Sequence, residues 1–100
     1  TFVEGSLPKE FTLHSNYPNP FNPSTVISYD LSRETAVKLN VYDMKGRRIN
    51  ALVNQVQSAG RHHVRWNAKD ARGNGISAGV YLYRLEAGGK VFTEKMIFMK

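Results

Sequence analysis

The sequence predicts an all-β fold, an immunoglobulin-like β-sandwich of about seven antiparallel strands, and three observations predict it. Short segments alternate apolar and polar residues with the period of a half-buried strand. Clusters of Gly, Pro, Asn, Asp and Ser break them at roughly eight- to twelve-residue spacing. No segment carries an apolar stripe with helical period. One hundred residues fit one domain, and 41% apolar residues suffice for one core.

Taken in order, residues 1–10 contain Gly5, Ser6 and Pro8 and read as a linker, or as the cut edge of a longer protein. The folded unit is expected over residues 11–100. Phe11 to His14 alternates as a short edge strand would. The next stretch, Asn16-Tyr17-Pro18-Asn19-Pro20-Phe21-Asn22-Pro23-Ser24-Thr25, holds three of the four prolines. Proline fixes φ, and Asn19 and Asn22, each directly before one, are pushed toward extended geometry. The stretch is therefore a stiff extended or turn-rich lead-in, with Asn side chains capping nearby backbone groups and Tyr17 and Phe21 anchoring it to the domain.

Thr25 to Leu31 then sets Ile27, Tyr29 and Leu31 on one face, and Val37, Leu39 and Val41 do the same after the Ser32–Thr35 turn. Asp43-Met44-Lys45-Gly46 suits a type I turn ending in a left-handed residue, the three-residue hairpin with a bulge. Its partner strand starts at Arg47, and alternation slips after Ile49, so a bulge or strand end is expected near Asn50. In Arg61 to Asn67, His62, Val64 and Trp66 share a face, with Trp66 the core anchor. Residues 67–79 lack a period and form a long loop. Val80 to Ala87 is apolar on both faces, as a central strand is. Gly88-Gly89 signals a two-residue hairpin before the last strand, Val91 to Met99. That strand is also apolar on both faces; either it is central, or it keeps an apolar face for a partner.

Little chemistry is encoded. Gly73-Asn74-Gly75-Ile76-Ser77-Ala78 has dinucleotide-fingerprint spacing, yet a loop precedes it and a strand follows, so no helix N-terminus meets a phosphate. Asp70 to Gly75 faintly resembles a calcium loop, but Arg72 occupies a ligand position and Tyr81 stands where the bidentate Glu belongs. His62 and His63 point to opposite faces and cannot chelate one ion. No Ser sits in a nucleophile elbow and no carboxylate pair is placed for acid–base work. Catalytic residues, metal ligands and cofactors are all expected to be absent. The net charge of +6 raises nucleic-acid binding, but the basic residues are spread along the chain and read as a solvated face. With no Cys, nothing depends on disulfides or thiolates, which leaves the compartment open. No apolar run is long enough to span a membrane, and the start is not of the signal-peptide kind.

The proline stretch, followed by Val41-Tyr42-Asp43-Met44-Lys45-Gly46-Arg47, resembles the type A C-terminal sorting domain of the type IX (Por) secretion system. Ala59-Gly60-Arg61-His62, Val64-Arg65-Trp66-Asn67, Ser77-Ala78-Gly79-Val80-Tyr81-Leu82-Tyr83-Arg84-Leu85 and Thr93-Glu94-Lys95-Met96 continue the resemblance over roughly residues 11–100. The immunoglobulin-like domain of the flagellar hook-capping protein shares the Asn-Tyr-Pro-Asn-Pro-Phe-Asn-Pro opening. The resemblance implies a non-catalytic signal that sends a larger cargo, N-terminal in the same chain, through the periplasm and across the outer membrane to the cell surface. It implies as partners an outer-membrane secretion translocon and a sortase-like peptidase that cuts within residues 1–12. It implies recognition at Asp43, Gly46, Arg47, Gly79, Tyr81, Lys95 and Lys100, with Lys95 and Lys100 one residue further apart than the Lys-x-x-x-Lys of some members. The competing expectation is an accessory module gripping polysaccharide or cell wall, which needs a planar row of exposed aromatics drawn from Tyr17, Phe21, Tyr42 and Tyr83.

Overall fold

In the computed structural model, which describes residues 7–100, the alternating segments become seven antiparallel strands. They are β1 (Thr12–Leu13), β2 (Thr25–Leu31), β3 (Thr35–Asp43), β4 (Arg48–Gln57), β5 (Gly60–Trp66), β6 (Gly79–Ala87) and β7 (Lys90–Phe98). One sheet runs β1-β2-β5 and the other β4-β3-β6-β7. The expected sandwich is what the chain adopts. The linker reading of residues 1–10 falls partly outside the described residues.

Each alternation fills the space between the sheets. Ile27, Tyr29 and Leu31 of β2 face Val37, Leu39 and Val41 of β3 and Tyr83 and Leu85 of β6 in one fully buried core. A side chain of that size contributes about 1.5–3 kcal/mol when removed from water, so these strands cannot shift register by one residue without exposing the whole set. The Tyr83 hydroxyl donates to His14 O (2.7 Å), joining the interior of one sheet to the entry segment of the other. Burial pushes the Tyr83 hydroxyl pKa up to about 12.

The irregularities fall where alternation slipped. Register shifts at Leu39/Asn40 and Val41/Tyr42 leave Leu52 and Ile49 as extra residues in β4, so the expected bulge near Asn50 is in fact two bulges. Gly88 is required by its neighbour as well as its turn: at φ +60 a Cβ there would sit 2.4 Å from Phe11 Cε2. The last strand resolves its two readings as an edge. Among the described residues β6 is the only strand that β7 pairs with, while Val91 (54%) and Met99 (54%) remain exposed.

Antiparallel pairing sorts every connection to one of two ends of a body 43 Å long. The linker pole holds Phe11 and the turns after β2, β4 and β6. The C-terminal pole holds the proline stretch, the β3–β4 hairpin, the long loop before β6, and Met99 and Lys100.

Candidate functional site

The C-terminal pole is assembled around the proline stretch. Entering along β2, the chain pairs Tyr17 with Val26 and then turns away through Pro18 to Ser24. Asn16, buried, holds that turn by donating from Nδ2 to Pro18 O (3.2 Å) and Thr25 Oγ1 (3.0 Å), while the Thr25 hydroxyl donates to Pro18 O (2.8 Å). The stretch then crosses to the other sheet. Phe21 N–H donates to Ile97 O, Met99 N–H donates to Phe21 O, and Asn19 Oδ1 accepts from Ile97 N–H (2.9 Å). The expected asparagine capping is present at 16 and 19.

Of the two expected anchors, only Phe21 is one. It is 2% exposed, stacked on Phe98 at 5.2 Å and tilted against Trp66 at 5.9 Å. Tyr17 is 81% exposed and anchors nothing, because its pairing with Val26 uses backbone groups only. Tyr81 completes the cluster edge-on to Trp66, and Trp66 Nε1–H donates to Lys69 O, fixing the long loop to the core. The aromatic row required for a polysaccharide module is not formed: Phe21 and Tyr83 are interior residues.

The seven residues that the resemblance singled out all lie in or beside this pole. Asp43 organises the β3–β4 hairpin: Oδ1 accepts from Lys45 N–H and Arg47 N–H, and Oδ2 from Arg47 Nε–H (2.8 Å). Those bonds, led by the Arg47 amide, hold its carboxyl below the usual range. Gly46, at φ +86, supplies the left-handed residue that turn demands. Asp43 pairs with Tyr81 and Gly79 with Phe98, so hairpin and C-terminus share an end of the sheet. Tyr81 is an interior residue whose hydroxyl donates to Ser77 O, and burial raises its pKa. Lys95 is exposed on the outer face opposite Leu82, and Lys100 is exposed beyond the strand.

The pole is electropositive. Lys45, Arg47, Arg48, Lys69, Arg72, Lys95 and Lys100 are all exposed there. Against them stand Asp43 and Asp70, and both carboxylates are occupied by turn amides, Asp70 Oδ1 accepting from Arg72 and Asn74 N–H. That occupation also explains the faint calcium-loop pattern as an Asx turn. His62 stacks on Tyr29 while His63 bonds Ser28 on the other face, so the two diverge as expected. Sequence reasoning spread the cations evenly along the chain; it missed that the topology gathers half of the lysines and arginines at one end.

The sequence profile of the secretion system C-terminal sorting domain matches residues 15–99. No curated protein matches the sequence. Among solved structures, dimeric latent PorU from Porphyromonas gingivalis superimposes with TM-score 0.70 at 23% identity, over 89% of this chain and 9% of that one. PorZ, a surface component of the type IX secretion system of the same organism, gives TM-score 0.62 at 21% identity, over 88% of this chain and 11% of that one. FlgD from P. aeruginosa gives TM-score 0.59 at 28% identity, over 74% and 60% of the two chains. The chain thus spans about a tenth of the first two.

Proposed function

The chain belongs to the secretion system C-terminal sorting domain family, and on that premise we propose that the secretion machinery reads it at its C-terminal pole. As a type IX sorting domain it directs the protein that carries it to the cell surface or the medium. The family is a sorting signal rather than a catalyst, and the cargo lies in the same chain. Among the described residues no helix is long and apolar enough to cross a membrane.

The observation that carries the reading is the separation of the poles. Cargo is joined where Phe11 packs on Gly88, and the exposed cations of Asp43–Arg48 and Lys95–Lys100 lie at the far end of the long axis. A translocon approaching that end meets an address free of cargo. In this reading Arg47, Lys95 and Lys100 contact the partner, whereas Asp43, Gly46, Gly79 and Tyr81 shape the hairpin and strand ends that present them. The sortase-like peptidase acts at the other pole. In this reading cleavage falls before Phe11, which is buried, in a stretch where Lys9 and Glu10 are exposed.

The test is a periplasmic reporter fused ahead of residues 1–100 in a host with the secretion system. Deleting Phe92 to Lys100 is expected to abolish export, and Lys95→Glu with Lys100→Glu to reduce it while the domain stays folded by circular dichroism. Unchanged export in the deletion would refute the sorting role.

A further inference from the structure

β7 is left half covered. In an antiparallel ladder alternate residues turn their N–H and C=O to opposite sides. Ile97 and Met99 turn theirs away from β6, because those groups meet Asn19 and Phe21. By the same parity Val91, Thr93 and Lys95 present N–H and C=O to the margin, and among the described residues no strand pairs with them. β1 approaches this side of the sandwich, but pairs only with β2. The register with β6 is unbroken from Gly79↔Phe98 to Ala87↔Lys90, so the margin is regular. It is also competent for strand addition, since Phe21 already adds in parallel opposite Phe98.

Resting on the sorting reading above, we propose that this open half of β7 is the docking strand of the signal, taking an extended, acidic segment of a partner polypeptide by strand addition. The side chains specify the guest. Val91 and Lys95 lie on the outer face four residues apart, and half-buried Phe92 lies on the inner one. A matching segment carries an acidic residue beside Lys95, an apolar one beside Val91 on the same face, and an apolar one beside Phe92 on the other. Lys90 and Lys100 bracket the strand and add attraction for negative charge. Backbone bonds supply affinity and the alternate side chains supply selectivity. An anionic lipid surface would use the cations and ignore the backbone, which separates the two.

The discriminating variant in the cargo-fused chain is Thr93→Pro. It removes one margin-facing N–H and leaves the bonds to β6 intact, a position where edge strands tolerate Pro. Export is expected to fall about threefold to tenfold, the scale of one lost hydrogen-bonded contact, while Thr93→Val exports normally. Should Thr93→Pro destabilise the domain, hydrogen exchange of the unaltered fusion decides. Outer-membrane vesicles carrying the secretion system are expected to slow exchange across residues 90–95, and vesicles lacking it to leave those residues unchanged. Normal export by folded Thr93→Pro overturns the proposal, as does equal slowing by both vesicle types. Loss of export in Lys95→Glu but not in Thr93→Pro also overturns it, in favour of a purely electrostatic surface. Unchanged export on deleting Phe92 to Lys100 would instead overturn the sorting role itself.

Discussion

The two margins of the four-stranded sheet are built on different rules. β4 carries two bulges in ten residues, pairs out of step with β3, and emerges from a hairpin whose Asp43 carboxylate is consumed by its own turn. Bulges twist an edge and spoil its use as a template, a common protection against unwanted pairing. β7 has no bulge, and among the described residues only its C-terminal end is covered, by a short piece of chain that arrives from the other sheet. One margin is blunted by bulges over its hairpin half, and the other is sealed at one end by a crossing segment. A protein that only needed to stay monomeric would have reason to treat both alike.

The largest expected effect comes from breaking the seal. Phe21→Ala removes an aromatic held between Phe98 and Trp66 and leaves a cavity at the C-terminal pole. A loss of about 3–5 kcal/mol is expected in denaturant unfolding. Tyr17→Ala, four residues earlier in the same proline stretch, is expected to change stability by less than about 0.5 kcal/mol. Equal losses from the two would contradict the one-anchor arrangement.

That pair also marks how far the sequence could be read. Strand number, the faces of β2 and β3, the central position of β6, the Gly88-Gly89 turn and Trp66 in the core were all legible, because period-two burial and turn chemistry are local signals. Which of Tyr17 and Phe21 turns inward was not, since three prolines interrupt the alternation that would assign a face. Nor was the edge position of β7. Its composition is that of a covered strand, and what covers it is Phe21, some 77 residues earlier in the chain, through a parallel bridge that no spacing announces. Of the candidate site, the residue names came from family resemblance. Their assembly at one end, and the inward burial of Tyr81, follow only from the register Asp43↔Tyr81 and Gly79↔Phe98.

A smaller effect tests the remaining short margin, β1, against β7. Where one end of β7 is sealed by the proline stretch, the end of β1 is tied to β2 and β5 through the Asp30 carboxylate. Arg61 Nε–H donates to Asp30 Oδ1 (2.8 Å) and His14 Nε2–H to Asp30 Oδ2 (2.8 Å). The Arg61 hydrogen bond, opposed by burial and reinforced by His14, holds the Asp30 carboxyl below its ordinary range. A carboxylate whose pKa is lowered on folding stabilises the fold above its unfolded pKa and loses that contribution as pH falls through the lowered folded value. Thermal stability is therefore expected to be flat near neutrality and to fall below about pH 4. Asp30→Asn should lower stability at pH 7 and flatten that acid limb. With Arg61 partly exposed, solvent screening keeps the difference modest, at most about 1 kcal/mol. An acid limb identical in the variant would remove Asp30 from the account.

The smallest effect draws the boundary on β7 itself. Ile97 N–H is held by the Asn19 side chain and Met99 N–H by Phe21 O, whereas the N–H groups of Val91, Thr93 and Lys95 face the open margin. Hydrogen exchange of the isolated chain should divide the strand accordingly, with Ile97 and Met99 slow and the other three fast. Asn19→Ala deletes one exposed acceptor and is expected to cost only about 0.5 kcal/mol globally. Locally it should move Ile97 into the fast group while Met99, whose acceptor is backbone, stays slow. If Ile97 remains slow in the variant, the proline stretch covers the edge by burial rather than by that side chain, and the open margin ends before Ile97 for a steric reason. If Val91, Thr93 and Lys95 are slow in the unaltered chain, the margin is already closed and a partner strand has nothing left to pair with.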